Sequence, residues 1–354
     1  MYSESELDAA VSDGAIAPEA ATAFRAHVAA HRAAPAADEE SFRLITGFND
    51  VFVSIAATLL LVAVGWIGQI IPFPPGYDGM RPLAGLFVAG AGWGLAEYFT
   101  RRRRMALPSI LLLIAFVGGV FVTVVSLLLP VAGGERALDD QSLVMTLVAA
   151  SAAVAGGAAW LHWQRFQVPI TVAAGIAAVV TVAAALAESA QRLTQPVVFF
   201  AGLGVFALAM RWDMSDRARQ TRRSDVAFWL HLLAAPLIVH PAFTALSGAG
   251  GTAAALPVLL LYLALAAVAL AIDRRALMVS ALAYVLFAIS RLFEQAGAVS
   301  LSVALTALVI GSALLLLSAF WQAARGLVLG PLPPAWRDRL PPVGARYPAT
   351  PRPA

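Results

Sequence analysis

The sequence predicts an all-α protein: a polytopic transmembrane helix bundle of about ten spans with both termini in the cytoplasm. Three observations carry this. Apolar stretches of about 16 to 24 residues recur between Asn49 and Trp321, with loops between them too short to hold a water-soluble domain. Hydrophobic residues make up 60% of the chain and charged residues 13%, whereas charged residues reach about 25% in soluble domains, so lipid is the main solvent. Runs such as Leu107 to Leu129 are continuous rather than alternating. In hydrocarbon every backbone N–H and C=O must be paired internally, and a continuous run does so as a helix rather than as a barrel strand.

Residues 1–40 form a polar start without the apolar core and small-residue cleavage site of a signal peptide, so the first span is expected to insert uncleaved. Ser3 and Glu6 fit a capping box, Leu7, Ala10 and Val11 an apolar stripe, and Gly14 a stop. Pro18 fits the first turn of a second helix that ends before Pro35, with Phe24 and Val28 on one face. The pair reads as a small cytoplasmic helical hairpin. Its eight carboxylates against Arg25 and Arg32 give a charge of −6. A phosphate-binding surface needs the opposite sign, which excludes nucleic acid as the partner. A protein partner docking on residues 1–40 fits better.

The spans are placed at 49–71, 83–100, 106–130, 142–162, 168–187, 195–211, 226–246, 253–272, 276–291 and 299–321, forming a bundle over 41–321. A Pro/Arg-rich cytoplasmic tail, 322–354, is expected to be poorly ordered. All 24 positive residues are arginine, which with the abundant alanine reads as coding bias. Their positions test the span order independently. With the N-terminus inside, 20 arginines fall on the cytoplasmic side, and only Arg81, Arg136, Arg192 and Arg291 fall outside. The dense glycine, including Gly90-x-x-x-Gly94, predicts close helix packing, while Gly118-Gly119 and Pro236 mark positions where a span can bend.

Ionisable groups inside spans are the default functional candidates. Here they gather at span ends. Glu97 stands four residues before Arg101, Glu188 four before Arg192, and Arg291 three before Glu294, spacings that read as local ion pairs anchoring helix ends. Asn49 and Asp50 open the first span, where they suit helix capping. Asp213, Asp216 and Asp225 read as solvated or loop-ordering charges in the longest internal cytoplasmic loop. The seventh span is the most distinctive, with His231, Pro236 and His240 in one apolar run. Pro236 leaves the carbonyl of Leu232 without its helical donor, and His231 or a neighbouring helix is a candidate partner. His231 and His240, nine residues apart, lie on opposite faces and cannot share a metal. His27 and His31 share metal-ligand spacing but lack a third ligand, so no metal and no cofactor are expected.

Zero cysteines exclude disulfide and thiolate chemistry. The chain contains no phosphate loop, no His-Glu-x-x-His and no Gly-x-Ser-x-Gly, so no enzymatic activity is expected. No carboxylate stands near the middle of a span, which weakens proton- or sodium-coupled carriage.

The order of parts is the acidic hairpin, Gly47-Phe-Asn-Asp50 before the first span, many tight spans, Phe228-Trp-Leu-His231, and Leu332-Pro-Pro-Ala-Trp-Arg-Asp-Arg-Leu-Pro-Pro342 in the tail. It resembles a family of uncharacterised bacterial predicted membrane proteins with a short N-terminal helical domain of unknown function. The resemblance implies a multi-pass helical protein of the bacterial inner membrane and brings no activity with it. An intramembrane enzyme acting on lipid has only Glu97 and His162 as scattered acid/base candidates, which leaves two function classes ahead of it. One is transport or permeation of a neutral or amphiphilic small molecule. The other is a non-enzymatic structural, sensory or assembly protein that docks a partner through its N-terminal hairpin.

Overall fold

The structure, a computed structural model, describes residues 4–32, 48–72, 79, 81–190, 193–216, 221–247, 255–275 and 302–341, with single positions at 278, 282, 285, 286 and 289. It is all-helical, with no strand among the described residues. The chain divides into two units, residues 1–42 with 342–354, and residues 43–341.

In the first unit, α1 (Glu4–Ser12) and α2 (Pro18–Arg32) form a hairpin. Gly14 takes φ +71°, and the N–H groups of Ala15 and Gly14 donate to the carbonyls of Ala10 and Val11. These two bonds satisfy the orphan carbonyls at the end of α1, the arrangement that favours glycine at this place. Leu7 and Ala21 are buried, and Arg25 bonds Asp8 at 2.5 Å.

The second unit is the bundle. Its helices are α3 (Phe48–Ile70), α4 (Pro82–Ala96), α5 (Ala106–Val131), α6 (Gln141–Phe166), α7 (Ile170–Ser189), α8 (Thr194–Ser215), α9 (Arg222–Ser247) and α10 (Ala255–Ile272). They are followed by α11 (Ser302–Ala319), α12 (Trp321–Leu329) and α13 (Pro334–Arg337). From α3 to α9 successive helices pack on one another, most extensively in the pairs α4–α5, α6–α7 and α8–α9, and α10 packs on α9 and α12.

Among the described residues six helices, α3 and α5 to α9, are long and apolar enough to cross a membrane, and a seventh span results if the bent pair α11–α12 is taken as one. This is fewer than the expected ten: two of the expected spans are short helices, and one lies almost wholly outside the described residues. α4 holds 15 residues and continues through a six-residue π-helical turn, Glu97–Arg102. The apolar part of α10 is short, Pro257–Ile272. The expected span at 276–291 lies outside the described residues apart from single positions. The expected pair Arg291–Glu294 lies outside them too.

The tenth expected span does not run straight to 321. α11 and α12 meet at an angle of 79°. The turn is held from below: Trp321 Nε1 donates to Asp273 Oδ1 at 2.7 Å, and Arg325 donates to the carbonyls of Leu270 and Pro341, each at 2.9 Å. Arg325, one of the arginines counted on the cytoplasmic side, is 1% exposed. A guanidinium can be buried this way because its fork of donors finds carbonyl acceptors at helix ends.

Glycine sets the helix spacing, though not at Gly90 and Gly94 as the spacing suggested. A Cβ on either would meet nothing within 4 Å, so both face outward. The close approaches lie on other faces. A Cβ on Gly85 would stand 2.5 Å from the Gly119 carbonyl, one on Gly119 would stand 2.6 Å from the Gly85 carbonyl, and one on Gly68 would meet the Ala84 backbone at 2.6 Å. Gly119, but not the outward-facing Gly118, is thus a contact point within one continuous helix, and α9 likewise continues through Pro236 and Pro241.

Candidate functional site

Three polar clusters tie the bundle together, and the sequence-derived candidates divide among them. The deepest centres on Asp213. α8 carries a buried stripe, Gly202, Val205, Ala209 and Asp213, at the three- and four-residue steps of one helix face. The helix runs on to Ser215, so Asp213 belongs to its core-facing side. Asp213 is therefore not the solvated loop charge expected from its arginine neighbours: it is 7% exposed. Its Oδ2 bonds His231 Nε2 at 2.9 Å and Arg274 Nε at 3.2 Å, and its Oδ1 accepts from Arg274 Nη2 at 2.6 Å. Arg274 Nη2 also reaches the Ser224 carbonyl at 3.3 Å. One carboxylate thus links α8, α9 and the turn after α10.

His231 is fully buried against Phe206, while His240 and Pro236 on the same helix are exposed. The two histidines face opposite ways, as their spacing required. The expectation that His231 serves the Leu232 carbonyl gives way to a stronger acceptor, since Nε2 is turned to the Asp213 carboxylate. Asp216, expected to be a solvated or loop-ordering charge, takes the second role: it is buried, and its Oδ2 accepts from the Thr221 N–H at 2.8 Å and hydroxyl at 2.7 Å. It orders the start of α9.

The second cluster lies at the end of α4. Glu97 pairs with Arg101 at 3.3 Å, the spacing seen in the sequence, and more closely with Arg165 of α6, at 2.7 and 3.0 Å. Arg222 on α9 reaches Gln167 at 2.9 Å near the same end of α6. The third cluster is at the opposite end: Glu188 accepts from Gln141 at 2.8 Å and from the Thr194 hydroxyl. Its expected partner Arg192 lies outside the described residues. Arg165 and Gln141 sit on the last and first turns of α6, roughly 36 Å apart. Glu97 and Glu188 therefore stand at separate rims, each with its own partners.

At the start of the first span Asn49 is exposed and Asp50 is 3% exposed, with the Ser54 hydroxyl donating to the Asp50 carbonyl at 2.7 Å. The side chains of His27 and His31 lie outside the described residues. No group of metal-ligating side chains that could hold an ion occurs among the described residues.

His162, which the sequence offered only as a scattered acid/base candidate, turns out to be part of the core. His162 is fully buried among Trp93, Phe116 and Phe166, with ring centroids 6.2, 5.9 and 4.6 Å away, and its Nδ1 lies 3.2 Å from the Thr171 hydroxyl. A signal for it existed: Ser151, Ala155, Ala158 and His162 form one small-residue stripe along α6. Chemically, these arrangements join helices, and each carboxylate is satisfied by its neighbours. Among known proteins, no family model, no curated protein and no solved structure matches this chain.

Proposed function

We propose that the chain is a multi-pass protein of the bacterial inner membrane that acts without catalysis as a structural, sensory or assembly component. In this reading it has about ten spans and both termini in the cytoplasm, the distribution of 20 against 4 arginines setting the orientation. The acidic hairpin of residues 1–40 is the part offered to a protein partner.

The observation that carries the reading is the separation of the polar candidates. Glu97, Glu188 and the Asp213–His231 pair are each closed by local partners. A carrier needs polar groups that converge on a shared path and can exchange partners with a substrate. Groups bonded to one another across helices act as interhelical glue instead.

Deleting residues 1–40 from the full chain tests the docking role. In-cell crosslinking followed by pull-down is expected to lose specific partners while the bundle still elutes as a folded species. An unchanged partner list would sink the proposal. The competing reading, permeation of a neutral or amphiphilic molecule, is favoured by the two prolines inside α9 beside buried His231. Reconstituted vesicles that move a metabolite in the wild type but not in His231→Ala would replace the assembly reading with it.

A further inference from the structure

The end of α4 is built unlike the other helix ends. After Ala96 the helix widens into the π-helical turn Glu97–Arg102, closed by the Arg103 N–H on the Tyr98 carbonyl. Such turns are rare and gather at functional places. The chain then hooks through Arg103 and Arg104, with Arg104 at φ +53°, before α5 begins at Ala106. Four consecutive arginines, Arg101 to Arg104, are all exposed on this hook. A cavity of about 640 Å³ opens beside it, lined by Gly94, Glu97, Tyr98, Arg101 and Arg102.

The charge balance of the cavity is positive. Glu97 is the only carboxylate in its lining, and both its oxygens are taken by Arg165 and Arg101. Arg103 is fixed over Tyr98, its guanidinium 5.5 Å from the ring centre and its Nε and Nη2 on the hydroxyl at 3.2 and 3.1 Å. The guanidiniums of Arg102 and Arg104 make no hydrogen bond or ion pair among the described residues. Two guanidiniums are thus left to an anion at the point where an apolar helix ends.

A track leads away from this cavity along α4. Leu86, Gly90, Gly94 and Tyr98 recur at four-residue steps and are all exposed. The two glycines, which make no helix contact, lower the floor of that face where a Cβ would meet nothing. A basic pocket at the head of a shallow apolar track matches a phosphate group carrying a long hydrocarbon chain.

We propose that this hook and track are a binding site for an anionic phospholipid, its phosphate held by Arg102 and Arg104 and an acyl chain lying over Gly94 and Gly90. The proposal rests on the membrane character of the helices and not on the assembly reading. The test uses the full chain in mild detergent and native mass spectrometry with dioleoyl phosphatidylglycerol against dioleoyl phosphatidylcholine. Wild type is expected to retain phosphatidylglycerol selectively. Arg102→Gln with Arg104→Gln should weaken that retention roughly 30-fold. Gly94→Leu, which leaves the charge unchanged and whose Cβ meets open space, should lose it too.

A control pair, Arg211→Gln with Arg223→Gln, removes the same charge elsewhere and should leave retention intact. Equal loss in the control would mean diffuse surface attraction and overturn the site. So would retention unaffected by Gly94→Leu. Displacement of the lipid by millimolar inorganic phosphate would assign the pocket to the free anion and overturn the lipid assignment.

Discussion

The two halves of the bundle solve the same problem by different means. Around α3, α4 and α5 the helices meet through backbone: Gly68 against Ala84, and Gly85 against Gly119. Around α8, α9 and α10 one such approach, Gly202 against Leu237, is joined by a buried carboxylate shared by a histidine and an arginine. In lipid, apolar side chains gain nothing by leaving the solvent, so association draws on close packing or on polar groups with no better partner. The first solution is tolerant of chemistry and intolerant of volume. The second is the reverse.

The sharpest way to break this contrast is at Asp213. Asp213→Ala leaves the Arg274 guanidinium buried without its carboxylate, and removal of one member of such a pair costs about 3–5 kcal/mol. Unfolding in graded denaturing detergent is expected to move by that amount. Replacing the three partners together, Asp213→Leu, His231→Phe and Arg274→Met, should recover most of it, because well-packed apolar groups of similar size replace buried ion pairs at little net loss. If the triple variant is as unstable as the single one, the cluster specifies the fold in a way that charge balance does not explain.

The glycine side answers to volume. Gly85→Val forces a methyl-bearing carbon into the Gly119 carbonyl and Thr123, and overpacking of this kind costs about 1–3 kcal/mol. Gly90→Val, on the open face of the same helix, should stay within about 0.5 kcal/mol, as surface changes do. Equal effects of the two would mean that the α4–α5 contact is looser than its geometry.

Much of this architecture was readable from the residues. The hairpin stop at Gly14, the helix pairs, and the opposed faces of His231 and His240 follow from capping, hydropathy and the 100° step of the helix. The Glu97–Arg101 pair was visible as a four-residue spacing, but its stronger partner Arg165 lies 68 positions away and no local pattern announces it. Asp213 misled for a related reason. Its arginine neighbours speak for a solvated loop, whereas the Gly202, Val205, Ala209 stripe continues to it and speaks for the core. The glycine spacing at Gly90 and Gly94 was read as an interface, yet spacing alone does not say which face of α4 meets α5. Long-range partners and helix rotation are tertiary facts, and one sequence carries them only through such stripes.

Exposed pairs at the rims should matter less than either buried device. Glu97→Gln removes the carboxylate of a pair whose members are a third or more exposed. Water already screens such pairs, and their net contribution is small. No measurable shift in thermal melting is expected at ordinary salt. A large one would mean that Glu97 holds α4 to α6 as firmly as Asp213 holds α8 to α9.

A small effect that depends on pH is expected at the start of α6. Asp140 caps this helix: its Oδ1 accepts from the Ser142 hydroxyl at 2.7 Å and from the N–H groups of Ser142 and Leu143 at 2.9 and 3.2 Å. The Ser142 hydroxyl first, and the two N–H groups after it, hold the carboxyl below its ordinary range. A carboxyl lowered by folding contributes stability that is fully present above its unfolded value, about 3.9, and is lost as pH falls through the lower folded value. Wild type should therefore melt slightly above Asp140→Ala at pH 7, with the gap closing below about pH 4. The Asp213→Ala gap, which depends on a buried guanidinium left without its carboxylate, should still be present at pH values where the Asp140 gap has closed. Loss of both gaps together on acidification would place the buried cluster in contact with solvent protons and erase the distinction between rim and core.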